Sequence, residues 1–168
     1  QDIFMSRTAE FADVVLPGAP SVEKEGTFVN TERRIQHFSP AMKPLGDCRP
    51  DWEIFTDLAA RLGHPWHYPN PGAIMAEAAG IAEIFAGVSY EQLVGWQSQL
   101  WPVSAAGEST PRLYTERFNF PDGKARLYPL SWQPPAEQED SQYNLLLNNG
   151  RMLEHFQSMN QTGQGGRM

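Results

Sequence analysis

Few residues in this chain have the type and setting to do chemistry, and each admits a plainer role. Asp2 stands where the strand tail Gln1–Phe4 would leave a sheet. A carboxylate at the C-terminal end of a strand is how open α/β sheets hold a ribose diol, because it accepts two hydrogen bonds at once. The alternative is an exposed or helix-capping aspartate. Asp51, in Arg49-Pro50-Asp51, has the same two readings. It is either an acceptor pair for the amino group and ring N–H of a purine, or the acid that complements the positive end of a helix. Arg33-Arg34 could grip phosphate with forked donors. With Glu23, Glu25 and Glu32 nearby, the favoured reading of the pair is a set of surface ion pairs worth roughly 0–1 kcal/mol each. His64 and His67 flank Pro65-Trp66, and two imidazoles without further ligands do not make a metal centre, so they read as surface or packed histidines. The glycine-rich end, Gly163-Gln164-Gly165-Gly166, frees backbone N–H groups for anions but lacks the GxGxxG and Walker spacings. Asn160-Gln161-Thr162 matches a glycosylation triplet that is common by chance.

The elements that position these residues follow from local patterns. Ile3–Phe4 and the apolar run Asp13–Leu16, stopped by Pro17-Gly18, read as short buried strands around a helical turn capped by Ser6 or Thr8. Strand, helix and strand in so few residues suggest a parallel sheet. Gly26–Val29 and Arg34–Phe38 read as paired strands around a turn at Asn30–Arg33. Arg49-Pro50-Asp51 opens a helix whose Trp52, Phe55, Leu58, Ala59 and Leu62 fall on one face, and Gly63 ends it. Asn70-Pro71 caps a second helix through about Ala79, with Gly80 as its breaker. Ser89-x-x-Gln92 matches a capping box and predicts a further helix. From Gln99 to about Glu116 the pattern dissolves into a long connection. Asp122-Gly123 then signals a hairpin between Phe118–Phe120 and Ala125–Tyr128, and Tyr143–Leu147 reads as a later strand. The change of composition divides the chain into residues 1–115 and 116–168.

Composition sets the class. The 168 residues, 40% of them hydrophobic with five Trp and nine Phe, suffice for a packed interior, and 14 Pro with 14 Gly imply many turns. A net charge of -7 lacks the basic excess that unspecific binding to nucleic acid or anionic membrane requires. Cys48 is the single cysteine, so the chain holds no internal disulfide and no cysteine-ligated iron–sulfur cluster, and a reducing, cytoplasmic setting fits. No apolar stretch approaches the length of a membrane span. With no Met at position 1 and a Gly-Gly-Arg-Met end, the sequence reads as a piece of something longer.

Two blocks carry a resemblance. QDIFMSRTAEFADVVLPGAPSVEKEGTFVNTERRIQ and, after it, RPDWEIFTDLAARLG closely resemble the large catalytic subunit of molybdopterin-dependent formate dehydrogenases, within the molybdopterin oxidoreductase superfamily. FAGVSYEQL, FNFPDGKARLYPLSWQPP and LLLNNGRMLEHF continue it in the family's order, across nearly the whole chain.

The resemblance implies an α/β fold: residues 1–115 as the end of a Rossmann-like parallel α/β domain with several helices, and residues 116–168 as a linker and the first strands of a C-terminal β-barrel-like domain. It implies a parent that carries molybdenum or tungsten on two molybdopterin guanine dinucleotides, oxidises formate to carbon dioxide, and passes two electrons through the pterin to 4Fe-4S centres outside this chain. Expected partners are the rest of the catalytic subunit and the electron-transfer subunits of a formate dehydrogenase complex, with formate as substrate, no nucleic acid and no direct membrane insertion. By position in the motifs, Asp2 faces a guanosine portion with Gln1 and Thr8 near the same rim, and Asp51 is a second guanine-side acceptor. Arg151 and His155 of GRMLEH match the stretch that approaches the pterins. The family's metal-ligating cysteine or selenocysteine, its catalytic histidine and its cluster cysteines have no counterpart here, so no catalytic or metal-ligating residue is expected and the chain alone is expected to be inactive. Gln157–Arg167 departs from the formate enzymes' pattern. A nitrate reductase, or a metal-free structural and electron-relay subunit like that of respiratory NADH dehydrogenase, is the alternative parent.

Overall fold

The computed structural model describes residues 1–157, 159 and 161–164. It is a mixed α/β structure that divides into two units between Leu113 and Tyr114. In the first unit, β1 (Gly26–Val29) and β2 (Arg34–Phe38) form where β-branched and aromatic residues flank a turn. Asn30 makes that turn: its Oδ1 accepts from the backbone N–H of Glu32 and of Arg34, each at 3.0 Å, and Arg33 takes a φ of 67°. The strands pair antiparallel, Gly26 opposite Phe38 and Val29 opposite Ile35. A third strand, β3 (Ser98–Leu100), covers the other edge of β2, with Arg34 opposite Leu100. The sheet is therefore antiparallel in the order β1-β2-β3.

Ile3–Phe4 and Asp13–Leu16 do not become strands. Parallel pairing in this region consists of two single bridges, Asp2 with Pro17 and Gly18 with Arg49. Pro17 has no N–H to continue a ladder, and Val14 is 71% exposed, so the apolar run has nothing to be buried against.

Helix α1 (Asp51–Arg61) starts after Pro50, has Asp51 and Glu53 in its first turn and Arg61 in its last. That charge order complements the helix dipole. Its buried residues are Ile54 and Ala59, while Phe55, Leu58 and Leu62, expected on the covered face, are exposed. Helix α2 (Pro71–Ile81) is capped as its sequence predicts, Asn70 Oδ1 accepting from Ala73 N at 3.0 Å, and it continues through Gly80 for one residue more. The capping-box match at Ser89 yields only a 3₁₀ turn, Tyr90–Gln92.

The core is small and centres on β2. Ile35, Val88, Leu93 and Val103 are buried together, and Met75, Phe85 and Trp101 pack against them. Gly87 permits this closeness, since a Cβ there would lie 1.8 Å from the carbonyl oxygen of Ser104. The segment after β3, expected to be a loose connection, is held by backbone bonds and by several side chains, Arg33 foremost. The Arg33 guanidinium donates to the carbonyl oxygens of Trp101, Thr110 (3.2 Å) and Pro111 (3.1 Å), and lies 5.7 Å from the centre of the Trp101 ring.

The second unit has no strand and no α-helix among its described residues. In place of the expected hairpin, Phe118 N donates to Gly123 O at 2.9 Å and closes a turn, with Tyr114 stacked on Phe118 at 5.0 Å. Tyr143–Leu147 forms no strand, and Leu145 and Leu147 are about nine-tenths exposed. A strand needs a neighbour to satisfy its N–H and C=O groups, and none pairs with it. Asn160 of the glycosylation triplet and Gly165-Gly166 of the glycine-rich end lie outside the described residues.

Replacing Ile35 by Ala leaves a cavity under the middle strand. Urea unfolding followed by tryptophan fluorescence is expected to show a loss of about 2–5 kcal/mol. An unchanged midpoint would mean that β2 is not the centre of the core.

Candidate functional site

Three separate pieces of chain meet edge to edge beside α1. Asp2 N donates to Leu16 O at 3.3 Å and Gly18 N to Asp2 O at 3.0 Å, while Ala19 N donates to Arg49 O at 2.9 Å and Arg49 N to Pro17 O at 3.1 Å. These bonds place Gln1, Gly18 and the Arg49–Asp51 corner side by side. Ala19 is fully buried behind them.

Asp51 is the first residue of α1, one position after the N-cap Pro50. Its Oδ1 accepts from Gln1 Nε2, and its Oδ2 accepts from the Lys24 ammonium. Lys24 follows a 3₁₀ turn, Ser21–Glu23, that is itself anchored: Ala41 N donates to Val22 O at 2.8 Å and Leu45 N to Glu23 Oε2 at 3.0 Å. The pair packs over the buried Gly18, where an added Cβ would sit 3.4 Å from Gln1 Nε2 and 3.7 Å from Asp51 Oδ1. An ionised carboxylate has about four lone-pair sites. Two are taken by the protein, one on each oxygen, so a planar group with two adjacent N–H donors fits the remaining two. The Asp51 side chain is 45% exposed and within reach of such a group.

Beside the pair lies a groove of about 380 Å³, whose walls include Phe28, Trp52, Met75 and Tyr90 as well as Lys24 and Asp51. Burial, reinforced by the charge of Glu25, pushes the Tyr90 hydroxyl up to about 12, so it stays protonated at neutral pH. His37 pairs through Nε2 with Glu25 Oε1 at 2.8 Å and meets the Tyr90 ring edge-on at 4.8 Å.

Asp2 is held differently. The Ser6 hydroxyl donates to its Oδ2 at 2.9 Å and Ile3 N to its Oδ1 at 2.8 Å. These bonds, Ser6's first, lower its pKa. Ser6 Oγ in turn accepts from Ala9 N at 3.3 Å, which makes Ser6, not Thr8, the cap of the turn Ala9–Phe11.

The structure thus brings Gln1 and Asp51 into contact, with Asp2 adjacent to Gln1. Thr8 is exposed and makes no cap bond. Arg151 and His155 belong to the second unit, where Arg151 is exposed and His155 Nδ1 lies 2.9 Å from Thr162 Oγ1. Arg33 and Arg34 form no phosphate grip: Arg33 is spent on carbonyls, and Arg34 pairs with Glu32 at 3.3 Å and Ser98 Oγ at 2.9 Å. Lys24 and Tyr90 were not legible as site residues. Lys24 sits in an alternating Glu-Lys-Glu run that reads as surface, and its partner is 27 positions away. Among the described residues no three His, Cys, Asp or Glu side chains gather to hold a metal, and no helix is long and apolar enough to cross a membrane.

Residues 1–61 match the family model described as Molybdopterin oxidoreductase, a span that contains Gln1, Asp2, Lys24 and Asp51. The chain is 57% identical over 162 residues to a Bacillus subtilis (strain 168) protein named "Probable oxidoreductase YjgC", covering 96% of this chain and 16% of that protein. It is 54% identical over 164 residues to "Putative formate dehydrogenase YrhE" of the same organism, covering 98% of this chain and 16% of that protein. With "Putative formate dehydrogenase SAB2186c" of Staphylococcus aureus (strain bovine RF122 / ET3-1) the identity is 53% over 164 residues, 98% of this chain and 17% of that protein. The chain therefore spans about a sixth of the length of these relatives.

The hydrogen bonds to Asp2 give a pH prediction whose sign is set by its lowered pKa. Folding stabilises the ionised form, so the contribution is present above the unfolded value, ordinarily 3.8, and is lost as pH falls through the folded one. Thermal melts of Asp2→Asn, compared with the unaltered chain, are expected to show a gap at neutral pH that closes below about pH 4. A gap independent of pH would remove the carboxylate from that account.

Proposed function

We propose that the chain, whose residues 1–61 match the Molybdopterin oxidoreductase family model, is part of the catalytic subunit of a molybdopterin-dependent formate dehydrogenase, where it helps bind the guanine dinucleotide ends of the cofactor. The observation that carries this reading is the half-exposed Asp51 carboxylate, fixed by Gln1 and Lys24 beside Gly18. Its two remaining acceptor sites match the amino and ring N–H donors on one edge of guanine. Asp2, beside Gln1, is the acceptor for a ribose hydroxyl, with Thr8 on the outer rim. Arg151 and His155 are assigned to the cofactor from the second unit.

In this reading residues 1–115 close a Rossmann-like α/β domain, supported by the parallel bridges at Asp2, Gly18 and Arg49, and residues 116–168 begin a β-barrel-like domain. When bound, the molybdenum- or tungsten-pterin group supplies the two-electron chemistry that takes formate to carbon dioxide and a proton. This chain's own residues bind and orient the distal ends of that group. The electrons leave through 4Fe-4S centres held elsewhere in the cytoplasmic parent and its electron-transfer subunits. Two relatives named for formate dehydrogenase, each more than half identical over nearly all of the chain, support formate as the substrate.

The test uses the longer protein. Asp51→Ala is expected to lower the metal and pterin content several-fold, and formate-dependent dye reduction with it, while circular dichroism stays unchanged. Unaltered metal content and activity would overturn the assignment of Asp51. Full cofactor without formate turnover in the unaltered protein would move the substrate to that of another family member.

A further inference from the structure

We infer that the face of α1 carrying Phe55, Leu58 and Leu62 is a docking surface for an apolar helix, supplied by the part of the longer protein that lies outside these 168 residues. The inference does not depend on what Asp51 binds. Residues 55, 58 and 62 stand at i, i+3 and i+7, the spacing of a single apolar stripe. Their side chains are between 45% and 69% exposed. The apolar surface continues past the end of the helix. Gly63 turns the chain at a φ of 84°, His64 N donates back to Ala59 O at 2.9 Å, and Trp66, itself half-exposed, comes alongside the stripe. These side chains line a groove of about 450 Å³.

Helices pack by setting the ridges of one into the grooves of the other, so a stripe with an open groove beside it is a shape that a second helix fits. The charges on the flank narrow the choice. Arg49 pairs with Glu53 at 3.6 Å and with Asp57 at 3.4 Å, and Arg61 pairs with Asp57 at 3.3 Å, so the flank is balanced within this stretch of chain. What covers the stripe therefore needs to bring no charge. The helix itself is lightly held, with only Ile54 and Ala59 buried. A helix that is apolar on a side its own unit leaves open is placed to lie between two layers, and a contiguous exposed patch of this kind marks an interaction site. The second layer has a source. The chain spans about a sixth of the length of its relatives, and a helix joined to the same polypeptide reaches the face at the high effective concentration that linkage gives.

Thiol labelling reads the face directly. With Cys48 replaced by serine, Leu62→Cys is reacted with N-ethylmaleimide in the 168-residue chain and in the longer protein, and the peptide that carries residue 62 is followed by mass spectrometry. The rate is expected to fall by about a hundredfold or more in the longer protein, the mark of a site that reacts only on local opening, and to stay low on dilution. Ala60→Cys, exposed and on the opposite side of α1, is expected to react at similar rates in both. Benzoylphenylalanine in place of Phe55 then identifies the cover, with cross-links expected inside the same polypeptide at sites three or four residues apart. Equal rates at residue 62 in the two proteins would overturn the inference, as would equal slowing at residue 60, which would bury the helix on every side. Protection lost on dilution, or cross-links to another polypeptide, would make the cover a second copy or a separate subunit and overturn it too. Cross-links two residues apart would replace the helix by a strand.

Discussion

The ion pair between Lys24 and Asp51 joins parts of the chain that lie far apart in sequence. It ties the segment leading into β1 to the first turn of α1, and through Gln1 it reaches the start of the chain. The backbone bonds at Asp2, Pro17, Gly18 and Arg49 bring the same pieces together edge to edge, but as single bridges they fix position along one line only. The side-chain pair adds a second point of attachment across that line. The carboxylate at the start of α1 is thereby fixed by two side chains while staying half-exposed, which is the feature that a binding role requires.

The rest of the first unit supports that corner without burying it. Ile35 and three side chains around it make the core, and the helix that bears Asp51 contributes only Ile54 and Ala59 to the buried set. Arg33 does by hydrogen bonding what the small core does not do by packing, since its guanidinium gathers three carbonyl oxygens on the segment after β3. Phe55, Leu58 and Leu62 remain uncovered on α1. A chain that corresponds to about a sixth of its relatives' length is consistent with such a surface, because burial scales with the size of the folded unit.

Signals that act within a few residues were legible in the sequence. Asn70-Pro71 capped α2, Pro50 and Gly63 bracketed α1, and the turn at Asn30–Arg33 set the register of β1 and β2. What depended on distant partners was not legible. β3 is three residues long, is polar at two of its positions, and pairs with a strand more than sixty residues earlier. The apolar runs Asp13–Leu16 and Tyr143–Leu147 have strand composition and no neighbour, so propensity alone did not make them strands. The same distinction holds in the site. Asp51 was visible from its place before a helix, whereas Lys24 became visible only once folding had crossed 27 positions of sequence.

The account turns on where the Asp51 carboxylate points when the longer protein carries its cofactor, and a structure of that loaded protein measures it. Both oxygens are expected at about 2.7–3.2 Å from the neighbouring donors of a guanine edge, with Lys24 still on Oδ2. An Asp51 turned back onto the N–H groups of its own helix, with the base held elsewhere, would contradict it.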